Sequence, residues 1–236
     1  MTRKMIEPPP PWVVHRSWLR EAAYHEAGHT VIAFHLLKLR GGAWIRADGS
    51  GLTETSCGPM DWRSIGETLI SAGVRRRLRV AREPVYDLDI TLAGPAAQLI
   101  ACDSMSPDDA FQLGYVLATI GRPGGRVAMP PKDHEAVAII TWGLHYGFTG
   151  QMPASLGGDY PCRFEDFIER RTAKVRAFLE RPAIWAQVEL VAARLMERKQ
   201  VSFKWLDRAL RRTSPQPGPT RAWRWERSAA GGATHS

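Results

Sequence analysis

Cysteine is scarce in this chain, and long apolar runs are absent. Its 236 residues include three cysteines, Cys57, Cys102 and Cys162, which are far apart. An odd and dispersed set forms neither a disulfide framework nor a Cys-x-x-Cys metal knuckle, so we expect reduced, buried thiols. No run of eighteen or more apolar residues occurs, and Pro8 to Pro11 interrupt the region where a signal peptide needs an apolar stretch. We therefore expect a cytoplasmic protein without a transmembrane segment.

Acidic residues are too few to balance the basic ones, which leaves a formal charge of +8. The densest basic run, Arg75 to Arg82, is interspersed with Leu78 and Val80, a pattern typical of the solvated face of an amphipathic helix. No nucleic-acid-binding motif accompanies the charge. We therefore expect no nucleic acid among the partners.

Composition divides the chain into an ordered body and two ends. Residues 1–12 are rich in Pro and residues 213–236 in Ser, Pro and Gly, so disorder is predicted at both ends. The body, residues 13–212, is predicted to be one domain, since 44% of the chain is hydrophobic and can bury a core.

Helical periodicity dominates the body. It predicts helices over 17–39, 61–81, 87–100, 106–119, 133–145, 164–179, from residue 182 onward, and over 203–210. Ser17 is the expected cap of the first helix, and Gly41 and Gly42 its expected end. Pro95 is expected to kink or interrupt the third.

One hairpin is predicted among these helices. Trp44 to Ala47 and Leu52 to Thr55 flank Asp48-Gly49-Ser50-Gly51, whose glycines permit the positive φ angles of a tight turn. The predicted fold class is therefore mainly α, with a small β-hairpin or sheet beside the first helix.

The first helix contains a metal-binding pattern, His25-Glu26-Ala27-Gly28-His29. Side chains four residues apart lie on one helix face, so both imidazoles can bind a single tetrahedral zinc ion. Glu26, about 100° round the helix, can act as general base on a zinc-bound water. Gly28 lowers helix propensity by about 1 kcal/mol relative to Ala, which indicates that another element approaches there. His35 points to another face and is expected at the core edge or surface.

A catalytic zinc site needs a third protein ligand. At this point the segment Ala23 to Val31 resembles the zinc helix of the FtsH-type peptidase, the proteolytic half of AAA proteases. The resemblance continues through the hairpin to a helix of the type Leu-Gly-Gly-Arg-Ala-Ala-Glu, here Leu92-Ala93-Gly94-Pro95-Ala96-Ala97-Gln98. It implies a helical metallopeptidase domain with one zinc ion per chain.

The resemblance places the third ligand, an Asp, at the start of the next helix. Ser106-Pro107-Asp108-Asp109 occupies that place and points to Asp109, with Asp108 as second choice and His134 or His145 as more distant candidates. An acid in a first helical turn is also favourable by about 0.3–1 kcal/mol without any metal.

The resemblance implies a zinc-dependent endopeptidase that cleaves peptides or unfolded proteins. No G-x-x-x-x-G-K-[ST] phosphate loop occurs, so cleavage is expected to be independent of ATP, with a separate unfoldase or a homo-oligomeric ring as possible partners. Pro95 and Gln98 replace an Arg and an acid of the family pattern, which alters the surroundings of the ligands. The alternative function is a catalytically inactive binding or regulatory module.

Substrate binding is predicted at the hairpin. If Trp44, Ile45 and Arg46 form an exposed edge strand beside the zinc ion, an extended peptide can add to it as a further strand. Its backbone carbonyl would then lie over the metal.

Overall fold

A computed structural model of the chain describes residues 16–46, 50–56, 61–101, 131–150 and 165–213. These residues form mainly helices with one small antiparallel sheet, which confirms the predicted fold class. The two ends expected to be disordered and the helix expected at 106–119 lie outside the described residues, apart from residue 213. Within the described ranges, no helix combines the length and apolarity that a membrane span requires.

Eight helices and three strands occur in the described part of the chain. The helices are α1 (Arg16–His35), α2 (Trp62–Ser71), α3 (Gly73–Val80), α4 (Arg82–Ala101), α5 (Pro131–Thr149), α6 (Glu165–Leu179), α7 (Pro182–Arg198) and α8 (Phe203–Thr213). The strands are β1 (Leu39–Ile45), β2 (Gly51–Thr55) and β3 (Gln200–Val201). Helix α1 lies at the centre, because it packs on α4, α7 and both strands of the hairpin.

The ends of α1 differ from the sequence prediction. The helix already includes Arg16, so Ser17 lies inside it and does not cap it. It ends at His35, shortly before Leu37 adopts a φ of 60°, and not at Gly41 and Gly42. A left-handed residue turns the chain out of the helix, and for Leu such a conformation is rare.

Gly41 and Gly42 belong to a bulge in β1. The register slips between Leu39 and Ala43, and the Glu54 side chain of β2 occupies the space that a Cβ at Gly41 would need. Glu54 Oε2 accepts a hydrogen bond from the Gly42 backbone N–H at 2.8 Å. The two glycines therefore admit a carboxylate into the sheet.

The predicted hairpin is confirmed, but its first strand is not the exposed edge of the sheet. The strand order is β2-β1-β3, so β1 is the central strand. Trp44 pairs with Leu52 on one side and Gln200 on the other, and the Ile45 N–H donates to the Lys199 carbonyl. The prediction that Trp44, Ile45 and Arg46 form an edge strand is wrong, because the short strand β3 covers β1.

Two helices differ from the sequence prediction in whether they are interrupted. Helix α4 runs through Pro95 to Ala101, so the expected interruption does not occur. The helix predicted over 61–81 is divided into α2 and α3, since Gly73 adopts a φ of 66°. Asp61 caps α2 by accepting hydrogen bonds from the Arg63 and Ser64 N–H groups.

Helix α5 is positioned by close contact with α2. A Cβ at Gly66 of α2 would lie 2.2 Å from the Tyr146 ring, and one at Gly147 of α5 would lie 2.5 Å from Leu69. Each helix thus has a glycine where the other has a large side chain. This interlocking near the C-terminal end of α5, together with packing of α5 on α4, positions the helix.

A buried ion pair joins α4 to α6. The Arg171 guanidinium donates from Nε to Asp89 Oδ1 at 2.8 Å and from Nη2 to Asp89 Oδ2. The Asp89 side chain is fully buried and that of Arg171 is 11% exposed. Removal of one partner would leave an uncompensated buried charge.

We therefore expect Arg171→Leu to lower the free energy of unfolding by about 3–5 kcal/mol. Arg176→Leu is the matched control on the same helix, because it removes only the exposed pair with Glu180 and should change stability by less than about 0.5 kcal/mol. The double variant Asp89→Leu with Arg171→Leu should recover much of the loss. Urea unfolding measures all three, and equal effects of the two arginine variants would contradict this account.

Candidate metal centre

Three side chains from two helices converge on one point. His25 and His29 come from α1, and Asp133 comes from the first turn of α5. Asp133 Oδ2 lies 2.8 Å from His25 Nε2 and 3.4 Å from His29 Nε2, and the two Nε2 atoms lie 3.0 Å apart. This group of one carboxylate and two imidazole nitrogens can hold a metal ion.

The structure brings together the two predicted histidines with an aspartate that sequence reasoning missed. In the sequence, Asp133 is the first residue of the helix predicted over 133–145. This position in a first helical turn was the signal that could have identified it as a candidate ligand. Asp109 and Asp108 lie outside the described residues, as does the side chain of His134. His145 is twelve residues from Asp133 on α5, about 18 Å along the helix axis, and is not a member of the group.

Helix α4 orients both imidazoles through hydrogen bonds to their Nδ1 atoms. His29 Nδ1 donates to the Ile90 carbonyl at 2.6 Å, and His25 Nδ1 donates to Gln98 Oε1 at 3.3 Å. With the proton on Nδ1, the lone pair of each ring is on Nε2, where the two rings meet Asp133. Gln98, noted as a departure from the family pattern, therefore contacts a ligand directly.

Glycines permit this close approach of α4 to α1. A Cβ at Gly94 would lie 2.4 Å from His29 Nε2 and 2.7 Å from His25 Nε2. A Cβ at Gly28 would lie 2.3 Å from the Ala93 carbonyl oxygen. The prediction that another element approaches the helix at Gly28 is confirmed, and that element is α4.

The three side chains also form a hydrogen-bonded charge cluster. Burial alone would lower the pKa of His29, but the Asp133 carboxylate, with smaller effects of Glu26 and the Ile90 carbonyl, raises it to about 9. Burial would raise the pKa of Asp133, yet the two imidazoles outweigh it and hold that pKa far below its usual range. Asp133 and His29 therefore stabilise each other's charged forms.

The hairpin places Glu26 next to this group. Thr53 Oγ1 of β2 donates to Glu26 Oε2 at 2.8 Å, and the Glu26 side chain is buried. Gly51 lies against the same carboxylate, since a Cβ there would be 2.5 Å from Glu26 Oε1. Glu26 is not a member of the candidate ligand group, and its role as general base stays a prediction.

His35 lies elsewhere and has a structural environment. It was expected at the core edge or surface, but it is 2% exposed and its Nε2 contacts Gln187 Oε1 at 2.8 Å. Burial lowers the pKa of His35, only partly offset by Gln187. It therefore belongs to the core contact between α1 and α7.

The donor set of two imidazole nitrogens and one carboxylate oxygen can hold a metal ion. No family model, curated protein or solved structure matches this chain. The function of the site is therefore inferred from the chemistry of its residues and not from a matching protein.

Replacement of Asp133 discriminates between the two candidate third ligands. We expect Asp133→Ala to weaken zinc binding by at least about 100-fold, because it removes a direct ligand. Asp109→Ala, the matched control, should retain the wild-type affinity. Competition with a chromophoric chelator measures both, and loss of affinity in Asp109→Ala alone would reverse the assignment.

Proposed function

We propose that this chain is a zinc-dependent endopeptidase that cleaves peptides or unfolded polypeptides. The proposal rests above all on the convergence of His25 Nε2, His29 Nε2 and Asp133 Oδ2 beside the Glu26 carboxylate. The resemblance of the Ala23 to Val31 segment to the FtsH-type zinc helix supports the same reaction. A ligand set of two nitrogens and one oxygen suits zinc.

The residues divide the reaction between them. A zinc ion held by His25, His29 and Asp133 would supply Lewis acidity and an activated water at neutral pH. Glu26 would accept the proton of the attacking water and transfer it to the departing amine. Thr53 holds that carboxylate at a fixed position, while Ile90 and Gln98 keep both imidazoles in the tautomer that leaves Nε2 free.

The free edge of the sheet supports an extended substrate. No described strand pairs with the outer side of β2, and Gly51 and Thr53 of this strand both contact Glu26. A peptide that adds to β2 would run past the general base without requiring a particular side chain. We therefore assign substrate binding to Gly51–Thr55, in place of the sequence prediction at Trp44, Ile45 and Arg46.

Glu26→Gln tests the reaction directly. We expect at least about a 1,000-fold loss of kcat on an unfolded casein-type substrate with zinc content unchanged, because the amide cannot accept the proton. Glu180→Gln is the matched control, since the Glu180 carboxylate forms an exposed ion pair with Arg176, outside the hairpin and the ligand group, and its loss should leave turnover intact.

Two results would contradict the proposal. Wild-type protein that binds zinc but shows no turnover would favour the alternative, a catalytically inactive peptidase-like binding or regulatory module. Equal activity of Glu26→Gln and wild type would exclude Glu26 as the base.

Thr53→Val tests whether the strand positions the base. Val keeps the shape and strand preference of Thr but removes the hydroxyl, so we expect kcat to fall about tenfold while KM and zinc content stay unchanged. Thr53→Ser keeps the hydroxyl and should restore most of the turnover. A loss in Thr53→Ser as large as in Thr53→Val would assign the effect to packing.

A further inference from the structure

Helix α8 presents a line of exposed basic side chains away from the metal centre. Leu206 and Leu210 anchor the helix and are fully buried. Lys204, Arg208 and Arg212 are exposed and four residues apart, so they lie along one face over about 12 Å. The helix is therefore apolar towards the core and basic towards solvent.

These three cations are not neutralised by the described part of the chain. Within it, no ion pair or side-chain hydrogen bond holds Lys204, Arg208 or Arg212. Asp207, the acid between them, is bonded to Arg211 at 2.7 Å. Like charges held one helical turn apart repel one another, and an external anion would relieve that repulsion.

The basic face lines a depression of the surface, which we call the α8 groove. Its lining residues are Phe203, Lys204, Asp207, Arg208, Arg211 and Arg212. Phe203 is 42% exposed and also borders a second depression, which includes Gly42, Trp44, Arg198 and Lys199. Exposed apolar surface and positive charge are thus continuous from the sheet to the end of α8.

The surface formed by the two depressions carries mostly positive charge. Six basic and two acidic residues line the two depressions, a formal charge of +4. The two acids are bonded within the chain, Glu54 to the Gly42 N–H and Asp207 to Arg211. Charge complementarity therefore favours a partner that carries negative charge.

We propose that the α8 groove binds an acidic segment of an extended polypeptide. Side chains on one side of an extended chain recur every 6.6 Å or so, close to the helical repeat of about 5.4 Å that separates the three cations. Carboxylates at alternate positions can then meet Lys204, Arg208 and Arg212 in turn. The exposed ring of Phe203 offers apolar contact at one end.

A single-stranded nucleic acid fits the surface less well. Proteins that bind such strands combine a basic groove with several aromatic side chains on which successive bases stack. Among the described residues, Phe203 is the one exposed aromatic side chain of these two depressions, and Trp44 is half-buried. The groove therefore favours carboxylates over a run of bases.

Binding of a defined peptide tests the inference independently of the proposed peptidase activity. The probe is a twelve-residue peptide that alternates Glu and Ser and has a neutral fluorophore, titrated by anisotropy with the Glu26→Gln protein. We expect saturable binding that weakens as salt rises, and none of the matching Lys-Ser peptide. The triple variant Lys204→Glu, Arg208→Glu, Arg212→Glu should weaken binding about tenfold or more.

A second triple variant controls for net charge. Arg75, Arg76 and Arg79 of α3 are also exposed, so their replacement by Glu changes the charge of the chain by the same amount elsewhere on the surface. This control should bind the acidic peptide like the parent protein, and circular dichroism should show both variants folded. Absence of binding, equal loss in both variants, or stronger groove-dependent binding of a twelve-nucleotide oligouridine would overturn the proposal.

Discussion

The contact between α1 and α4 is the constraint on which the candidate metal centre depends. Gly28 and Gly94 lie where the two helices meet, and a Cβ at either position would overlap atoms of the opposite helix. Because neither residue has a side chain, the two backbones approach closely and the histidines reach the Ile90 carbonyl and Gln98. The ligand geometry is therefore a consequence of helix packing, since the spacing of the histidines alone does not fix where their rings point.

The site is assembled from three separate parts of the fold. Helix α1 provides two ligands and Glu26, α5 provides Asp133, and β2 holds Glu26 through Thr53. The contact by which α5 interlocks with α2, at Tyr146 and Gly147, lies at the end of α5 opposite to Asp133.

Local features of the site followed from the sequence. The spacing of His25 and His29 and the offset of Glu26 depend only on helical geometry, which a short segment determines, and Gly28 within the same segment indicated a close approach without showing which element makes it. The hairpin was also recognisable, since its turn residues are consecutive. Structural features that form within one short segment can therefore be predicted from the residues of that segment.

Long-range features did not follow in the same way. The helix predicted to start at Ser106 and helix α5, which starts at Pro131, each have an acid near the start of the helical pattern, and this pattern cannot decide which acid meets the histidines. The central position of β1 depends on β3, a strand of two residues with no pattern of its own. Gly41 and Gly42 are typical of a helix end but lie in a bulge of β1, where the Glu54 side chain of β2 occupies the space that a Cβ at Gly41 would need.

Diffraction from zinc-loaded crystals on both sides of the zinc absorption edge is the most direct test of the central claim. The account predicts one anomalous peak per chain, about 2.0–2.2 Å from His25 Nε2, His29 Nε2 and an Asp133 carboxylate oxygen. A peak bonded to the two histidines but completed by Asp109 would contradict the ligand set. A peak bonded to neither histidine would contradict the metal centre as a whole.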